Sequence, residues 1–296
     1  MFILALVLCL NQANPPLPGF PGTVVKGAKL ETEYADDRFF EGPTWDPQSK
    51  KLFFTAFGKE TQILRLESKG KAMAWADKTE GVNGTFLTRE GRLLGAQAFG
   101  HRLIAYTLGA DKPVGATVLL FQSTLNQPND VCQAPNGDTY FTDPDFKKRE
   151  KSGVFLLKPN GTLTKLAIAL PTPNGIKVSM DGKTLMVSDS HLKNWHQFPI
   201  NPGGATGEGK MFFDPKVKDQ SEPDGLTLDE KGNWYLTGRG GVWVVNPQGK
   251  ALGFIPTPTF CSNVAFGGED GKTLYFTCSK QLLSLAMNTR GATWFK

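Results

Sequence analysis

The 296-residue chain is poor in the side chains that common hydrolases use as nucleophiles, bases or zinc ligands. It has three histidines and four cysteines, which excludes a histidine-rich zinc site. It has no G-x-S-x-G, H-E-x-x-H or C-x-x-C motif, so the serine-hydrolase, zinc-protease and zinc-ribbon signatures do not apply. Carboxylates, amides and hydroxyls are therefore the first candidates for a site.

Sustained helical periodicity and a broad basic surface are also missing. The net charge is +5, and the one compact basic run spans residues 147–151, which is too short to predict a nucleic-acid interface. Residues 204–210 have the spacing of a P-loop, but Met211 follows where a P-loop has Ser or Thr, so we interpret the match as chance. With 33 Gly, 20 Pro and 40% hydrophobic residues, the composition predicts a turn-rich all-β domain.

The N-terminal end differs from the rest of the chain in composition. Residues 1–10 are apolar and uncharged, and the first charged residue is Lys26. This pattern is typical of a secretory signal peptide, and the apolar run is too short to span a bilayer. We therefore predict a leader over residues 1–22, a single domain over residues 23–296, export to the periplasm or extracellular space, and no membrane span. The oligomeric state is left open.

Two of the three cysteines beyond the leader are expected to face each other. Cys261 begins one strand-like run and Cys278 ends the next, which places them close to opposite each other across a hairpin. A disulfide and a pair of buried free thiols both fit this placement. Cys132 is expected in the core.

The dominant feature of the sequence is a repeat of an oxygen-bearing side chain, a strand-like run, a turn and a second strand-like run. The leading residues of the six repeats, at spacings of 42, 46, 45, 50 and 38, are Glu41, Asn83, Asn129, Asn174, Asp224 and Ser262. A turn glycine follows four of them after eight residues: Gly91, Gly137, Gly182 and Gly232. A repeat of this length and content predicts a six-bladed β-propeller with four-stranded blades around a central channel.

The repeats leave the last blade short of an outer strand. The chain ends soon after the strand-like run that reaches Leu285, and an uncovered strand edge is an aggregation hazard. We expect residues 30–34, which precede the first blade, to add this strand and close the ring.

The leading residues are predicted to form one ring at one mouth of the channel, because the first strands of all blades run in the same sense. Asn and Asp before Gly are also ordinary turn residues, but turn chemistry alone does not require oxygen-bearing side chains at one shared position in six repeats. Carboxylates and amides suit a hard divalent cation, Ca²⁺ first, with Mg²⁺, Mn²⁺ or Zn²⁺ as alternatives. Such an ion polarises an ester or lactone carbonyl and acidifies water, for which Asp224 or Glu41 would serve as the base.

Several of these runs together resemble the gluconolactonase/regucalcin (senescence marker protein) family, and its bacterial gluconolactonase-like branch in particular. The runs, spread over residues 39–285, are Glu41-Gly-Pro-Thr-Trp45, Pro128-Asn-Asp-Val131, Tyr140-Phe-Thr-Asp-Pro144, Pro173-Asn-Gly-Ile176, Pro223-Asp-Gly-Leu226 and Asn263-Val-Ala-Phe-Gly-Gly268. The resemblance implies a six-bladed propeller with a central divalent metal that hydrolyses sugar lactones or other small lactones.

The resemblance also implies roles for individual residues. Glu41, Asn174 and Asp224 match metal ligands, with Asp224 as the proton acceptor as well. Asn129 matches a substrate-contacting residue that also approaches the metal. We further expect Asn83 and His101 to contact substrate, with His101 as the rival base.

The sequence departs from the family pattern around the third blade. Gln127 stands where regucalcin-like members have Arg, and residues 145–148 replace an aromatic-Gly turn. These changes alter the expected rim of the pocket, so the identity of the lactone does not carry over.

The leading hypothesis is a metal-dependent hydrolase that opens a small lactone, a sugar lactone such as gluconolactone. One alternative is a paraoxonase-like aryl-ester or organophosphate hydrolase with the same metal centre. Another is a non-enzymatic propeller that binds calcium or a partner, since fold alone does not fix activity.

Overall fold

The computed structural model describes residues 19–292, and within them all regular structure is β-strand. The strands form six four-stranded antiparallel sheets, so the predicted six-bladed β-propeller is confirmed. None of the described residues forms a helix with the length and apolarity needed to cross a membrane. The predicted leader lies outside the described residues, apart from residues 19–22.

The blades follow one another along the chain. The first contains β2 (Phe39–Asp46), β3 (Lys51–Phe57), β4 (Thr61–Ser68) and β5 (Lys71–Ala76), and the second β6 (Val82–Leu87), β7 (Arg92–Gln97), β8 (Arg102–Thr107) and β9 (Gly115–Phe121). The third contains β10 (Val131–Gln133), β11 (Thr139–Asp143), β12 (Gly153–Leu157) and β13 (Leu163–Lys165), and the fourth β14 (Pro173–Val178), β15 (Thr184–Asp189), β16 (Asn194–Pro199) and β17 (Lys210–Phe213). The fifth contains β18 (Leu226–Leu228), β19 (Trp234–Gly238), β20 (Gly241–Val245) and β21 (Ala251–Pro256), and the sixth β22 (Cys261–Gly267), β23 (Thr273–Cys278), β24 (Gln281–Ala286) and β1 (Glu31–Ala35).

Ring closure follows the prediction from the sequence. Strand β1 pairs antiparallel with β24, with Glu31 opposite Ser284 and Ala35 opposite Gln281. The N-terminal segment therefore covers the outer edge of the last blade. This pairing joins the two ends of the domain and leaves the sixth blade with the same four strands as the others.

The first turn of each blade depends on a residue with positive φ. Gly137 has φ 87° and Gly232 has φ 79°, a region that glycine enters without the steric cost of a β-carbon. In the first blade, where no glycine follows the inner strand, Lys50 takes this conformation at φ 54°.

The core lies between neighbouring blades. Five clusters of buried apolar side chains fill these spaces, and Trp75, Tyr140 and Trp195 are among the largest fully buried side chains. Cys261 and Cys278 pair in register, and both are buried free thiols. Because each blade buries its faces against both neighbours, the inner strands are held at fixed positions around the channel.

Candidate active site

Five of the six leading residues surround the channel as the sequence predicted. Glu41, Asn83 and Asn174 lie near the starts of inner strands, and Asn129 and Asp224 lie two residues before theirs. The side chain of Asn83 is half-buried, whereas the other four residues are 3–9% exposed. We call this end of the channel, where the inner strands begin, the ring mouth.

Ser262 differs from the other leading residues because its hydroxyl is shared between the ring and the blade packing. Its Oγ lies 2.8 Å from Phe40 O of the first blade and 3.0 Å from Thr277 O of the sixth, and its one proton serves these carbonyls. The residue is fully buried, and its side chain also lies beside the Glu41 carboxyl group. The neighbouring Asn263 presents its amide to the channel as well.

The position after the leading residue explains why Asn263 and Asp130 matter. In four repeats this position is glycine: Gly42, Gly84, Gly175 and Gly225. A β-carbon at each of these glycines would overlap the next blade, and at Gly84 and Gly225 it would overlap the side chains of Asp130 and Asn263. The glycines therefore make room for close blade packing, and the two side chains at the same position in the other repeats fill the channel interior.

Asn263 links two carboxylates at the centre of the channel. Its Nδ2 lies 3.3 Å from Glu41 Oε2 and 3.2 Å from Asp130 Oδ2. Glu41 Oε2 also accepts from the backbone N–H of Gly42 at 2.9 Å. The sequence prediction missed Asp130 and Asn263. The position after the leading residue is glycine in the other four repeats, and the polar side chains that replace it in these two could have indicated their role.

Hydroxyl groups on the second strands of the blades hold the backbone of the leading residues in position along the channel. Thr55 Oγ1 donates to Asn83 O at 2.9 Å, Thr142 Oγ1 to Asn174 O at 2.6 Å, and Ser188 Oγ to Asp224 O at 2.8 Å. In each case the acceptor belongs to the next blade. Buried hydrogen bonds of this kind hold the backbone around the channel in one register.

The side-chain amide of Asn174 has a defined orientation. Its Nδ2 lies 3.0 Å from Ser190 Oγ, and the same hydroxyl donates its single proton to Pro223 O at 2.8 Å. Ser190 must therefore accept from Asn174. This bond turns Asn174 Oδ1 away from Ser190 and leaves it free to serve as a ligand.

Three amide oxygens around the channel have no hydrogen-bond partner within the described part of the chain. They are Oδ1 of Asn83, Asn129 and Asn174, and all three atoms are buried. A buried acceptor without a partner costs about 1–3 kcal/mol. Three such atoms on the predicted ring indicate a binding site for a cation or a hydrogen-bond donor.

Ionisation of the channel carboxyl groups is unfavourable when no cation is near them. Burial and the charge of Asp130 raise the pKa of Glu41 to about 8, and burial raises the pKa of Asp130 to about 7. Burial, with the charges of Glu41 and Asp130, also holds the pKa of Asp224 well above its usual range. A cation among these groups would relieve their desolvation and mutual repulsion.

The donor chemistry fits a hard divalent cation. Within residues 19–292, no three His, Cys, Asp or Glu side chains are grouped closely enough to hold an ion on their own, so amide oxygens must complete the set. Glu41, Asp224, Asn129 and Asn174 supply two charges and two neutral oxygens, the combination that Ca²⁺ and Mg²⁺ accept. The orphaned amide oxygens are the observation in favour of this fit.

A cavity of about 490 Å³ lies in the channel on the side away from the ring mouth. Asp130 and Asn263 contribute to its lining, and it extends along the inner strands to the turn residues Pro47 and Gly271. The half-buried Lys177 also lines this cavity, with Nζ 4.9 Å from the centroid of the Phe86 ring. The cavity therefore reaches the channel carboxylates from the side opposite the ring mouth.

His101 lies on the rim of the ring mouth, in the turn between β7 and β8. Its Nδ1 is 2.8 Å from Leu125 O, and its backbone φ is 51°. This rim also carries exposed apolar side chains, namely Phe39 at the start of β2 and Phe99, Phe146 and Leu192 on loops. The structure thus places Asn83 and Asn129 around the channel and His101 on its rim.

Fold and channel together define a six-bladed propeller with a cluster of carboxylates and free amide oxygens at its centre. The chain belongs to the SMP-30/Gluconolactonase/LRE-like family, whose model matches residues 39–280, and the resemblance seen in the sequence is confirmed. It is 28% identical to a gluconolactonase of Zymomonas mobilis over 88% of this chain and 82% of the relative.

Two solved structures show the same architecture at similar identity. A putative gluconolactonase superposes with a TM-score of 0.82 at 28% identity, covering 94% of this chain and all of the other. A gluconolactonase of Xanthomonas campestris superposes with a TM-score of 0.78 at 27% identity, covering 94% and 99%.

Proposed function

We propose that this protein hydrolyses a small sugar lactone of the gluconolactone type and that it requires one divalent cation, Ca²⁺ by preference. The observation that carries the proposal is the set of orphaned amide oxygens of Asn83, Asn129 and Asn174 beside the buried carboxylates. The gluconolactonases to which the chain is similar support the choice of substrate.

The cation would be held by Glu41, Asn174 and Asp224, with Asn129 as a further oxygen donor. When bound, it would polarise the lactone carbonyl and lower the pKa of the attacking water. The orientation that Ser190 imposes on Asn174 and the N–H donated by Gly42 to Glu41 hold two of these side chains in place before binding. Such preorganisation reduces the cost of assembling the site.

Asp224 is the residue proposed to take the proton from the attacking water. Its backbone is fixed by Ser188, which donates to Asp224 O at 2.8 Å, and by its own N–H, which lies 3.4 Å from Thr237 O. Asp224 is buried, and its carboxylate lies beside Asn174. Burial, with the charges of Glu41 and Asp130, holds the pKa of Asp224 above its usual range, and a carboxylate of raised pKa is a stronger base than an exposed one.

The remaining predicted contacts belong to the substrate side. Asn83 and Asn129 carry free amide oxygens toward the channel and would accept hydrogen bonds from sugar hydroxyls. His101 is on the rim and held to Leu125, so we assign it to substrate contact and not to proton transfer.

A second candidate is hydrolysis of aryl esters or phosphotriesters by the same centre. The observation that favours it is the apolar rim, in which Phe99 is 61% and Leu192 44% exposed. Exposed apolar side chains around a polar site are typical of ligand-binding grooves.

The experiment is a substrate panel with and without chelator. Background-corrected hydrolysis of glucono-1,5-lactone, phenyl acetate and a phosphotriester is measured on the purified protein, then after EDTA, then after Ca²⁺ is restored. We expect lactone hydrolysis that EDTA abolishes and Ca²⁺ restores. Full activity in EDTA would contradict the metal requirement, a preference for the aryl ester would favour the second candidate, and no hydrolysis of any substrate would overturn both.

A further inference from the structure

A second pocket, open to solvent over most of its extent, lies at the ring mouth between the fourth and fifth blades. Its volume is about 480 Å³. Its walls are the β15–β16 turn, the β17–β18 connection and the β19–β20 turn, which contribute His191, Lys193, Asp214, Lys216, Gln220 and Arg239. We call it the blade 4–5 pocket.

Arg239 is the unusual member of this pocket. It is only 6% exposed, and its Nη2 donates to Val217 O. Its Nε and Nη1 have no hydrogen-bond partner among the described residues, and no described carboxylate forms an ion pair with it. A buried guanidinium that lacks a counter-ion is costly, and it points to an anion that completes the site.

The carboxylates of the same connection are partly engaged. Asp214 Oδ2 accepts from Lys216 Nζ at 2.6 Å, so these two lining residues form an ion pair within the pocket. Asp219 Oδ1 accepts from Ser221 N at 2.8 Å. Lys193 and Arg239 remain as lining cations without a carboxylate partner among the described residues. This balance favours an anionic ligand.

The three cations share a backbone feature. Lys193, Lys216 and Arg239 have φ of 59°, 55° and 53°, a region that costs residues with a β-carbon about 1–3 kcal/mol. Lys193 Nζ also donates to Gln220 O at 2.7 Å, which ties the fourth blade to the connection that leads into the fifth. His101, Arg149 and Ser279 have the same conformation between the second and third strands of other blades, so at Lys193 and Arg239 it is a property of the turn.

The pocket adjoins the proposed catalytic centre through both of its walls. His191 follows Ser190, the partner of Asn174. On the other wall, Arg239 N donates to Ser221 O at 3.1 Å, three residues before Asp224.

We propose that the blade 4–5 pocket binds an anionic substituent of the substrate, with the guanidinium of Arg239 as its principal partner. The substrate class is then a lactone that carries a phosphate, carboxylate or sulfonate group away from the ring ester. This inference rests on the proposed lactonase function for the identity of the substrate, whereas the anion site itself rests on Arg239 and the cavity.

The kinetic test compares two lactones that differ in one charged group. The ratio of kcat/KM for 6-phosphoglucono-1,5-lactone to that for glucono-1,5-lactone is measured in the wild type and in Arg239→Gln, Arg239→Lys and Lys280→Gln. Lys280 is an exposed cation in the β23–β24 turn of the same mouth, outside the pocket, and controls for general charge. We expect a ratio above one that Arg239→Gln lowers roughly ten- to a hundredfold, that Arg239→Lys restores in part, and that Lys280→Gln leaves within about twofold.

Binding measurements separate this inference from the proposed function. 6-Phosphogluconate, gluconate and inorganic phosphate are titrated calorimetrically into the wild type, Arg239→Gln and, in case that variant fails to fold, Lys193→Gln. Tighter binding of 6-phosphogluconate than of gluconate, lost in the variants, supports the pocket even if no lactone is hydrolysed. A ratio that Arg239→Gln leaves unchanged, or phosphate binding as tight as that of 6-phosphogluconate, would overturn the assignment while lactone hydrolysis itself stands.

Discussion

The side-chain amide of Asn263 lies 3.2 Å from the carboxylate of Asp130, although the two residues are 133 positions apart. They belong to the sixth and third blades, which are opposite each other in a ring of six. Their bond therefore crosses the channel. It separates the oxygen cluster of the ring mouth from the cavity of about 490 Å³ on the other side.

Removal of the Asp130 charge should weaken cation binding without loss of the fold. Asp130→Asn keeps the size of the side chain but removes one of the negative charges around the proposed site. We expect Ca²⁺ affinity, measured by calorimetry, to fall about 10–100-fold, as for other groups that support metal ligands. Asp111→Asn, at a carboxylate that is 86% exposed, is the control, and equal affinity in both variants would contradict a role for Asp130.

Gly225 should be intolerant of alanine because of Asn263. An added β-carbon would overlap the Asn263 amide, and overpacking of this kind costs about 1–3 kcal/mol. Gly225→Ala should therefore lower the free energy of unfolding, measured with denaturant, by about that amount. Gly22→Ala, where nothing lies within 4 Å, should not.

A double-mutant cycle identifies the clash. In an Asn263→Ala background the cost of Gly225→Ala should largely disappear, because the overlapping amide is gone. Additive effects of the two substitutions would show that the glycine has another role.

Metal-free protein should lose stability as the pH rises from about 5 to 8. Burial and the Asp130 charge raise the pKa of Glu41 from 4.5 to about 8, so the folded state binds more protons than the unfolded state between these values. The contribution of this group is fully present below the unfolded pKa and is lost as the pH rises through the folded pKa. Saturating Ca²⁺ holds the carboxylates ionised and should remove or reverse the slope.

Thermal unfolding in EDTA and in Ca²⁺ across this pH range provides the measurement. Glu41→Gln should flatten the slope in EDTA, whereas Glu269→Gln, at a side chain that is 71% exposed, should not. A melting temperature in EDTA that rises toward pH 8 in the wild type, with no difference in Glu41→Gln, would count against the buried carboxylate cluster.

The sequence predicted the repeat and five of the channel residues, because blade period and strand direction are local properties. It also predicted the ring closure, because the last repeat lacks an outer strand and residues 31–35 are free to supply it. It did not predict Asp130 and Asn263, whose importance depends on which blades face each other after closure. Ser262 contributes less to the channel than expected, because its hydroxyl also bonds to a backbone carbonyl of the next blade. Arg239 was not predicted either. That its Nε and Nη1 lack a hydrogen-bond partner can be recognised only in the folded structure, where the fifth blade packs against the fourth.

Asp224→Asn should separate cation binding from turnover. The amide retains one oxygen donor but cannot accept the proton of the attacking water, so part of the Ca²⁺ affinity should remain while kcat for the lactone falls roughly 10²–10⁴-fold. His101→Ala is the matched test of the rival base, and its position on the rim, held to Leu125 O, leads us to expect a change mainly in KM. Rates and Ca²⁺ affinities of both variants are compared at saturating metal. Near-normal turnover in Asp224→Asn, with loss in His101→Ala, would transfer the role of base to His101.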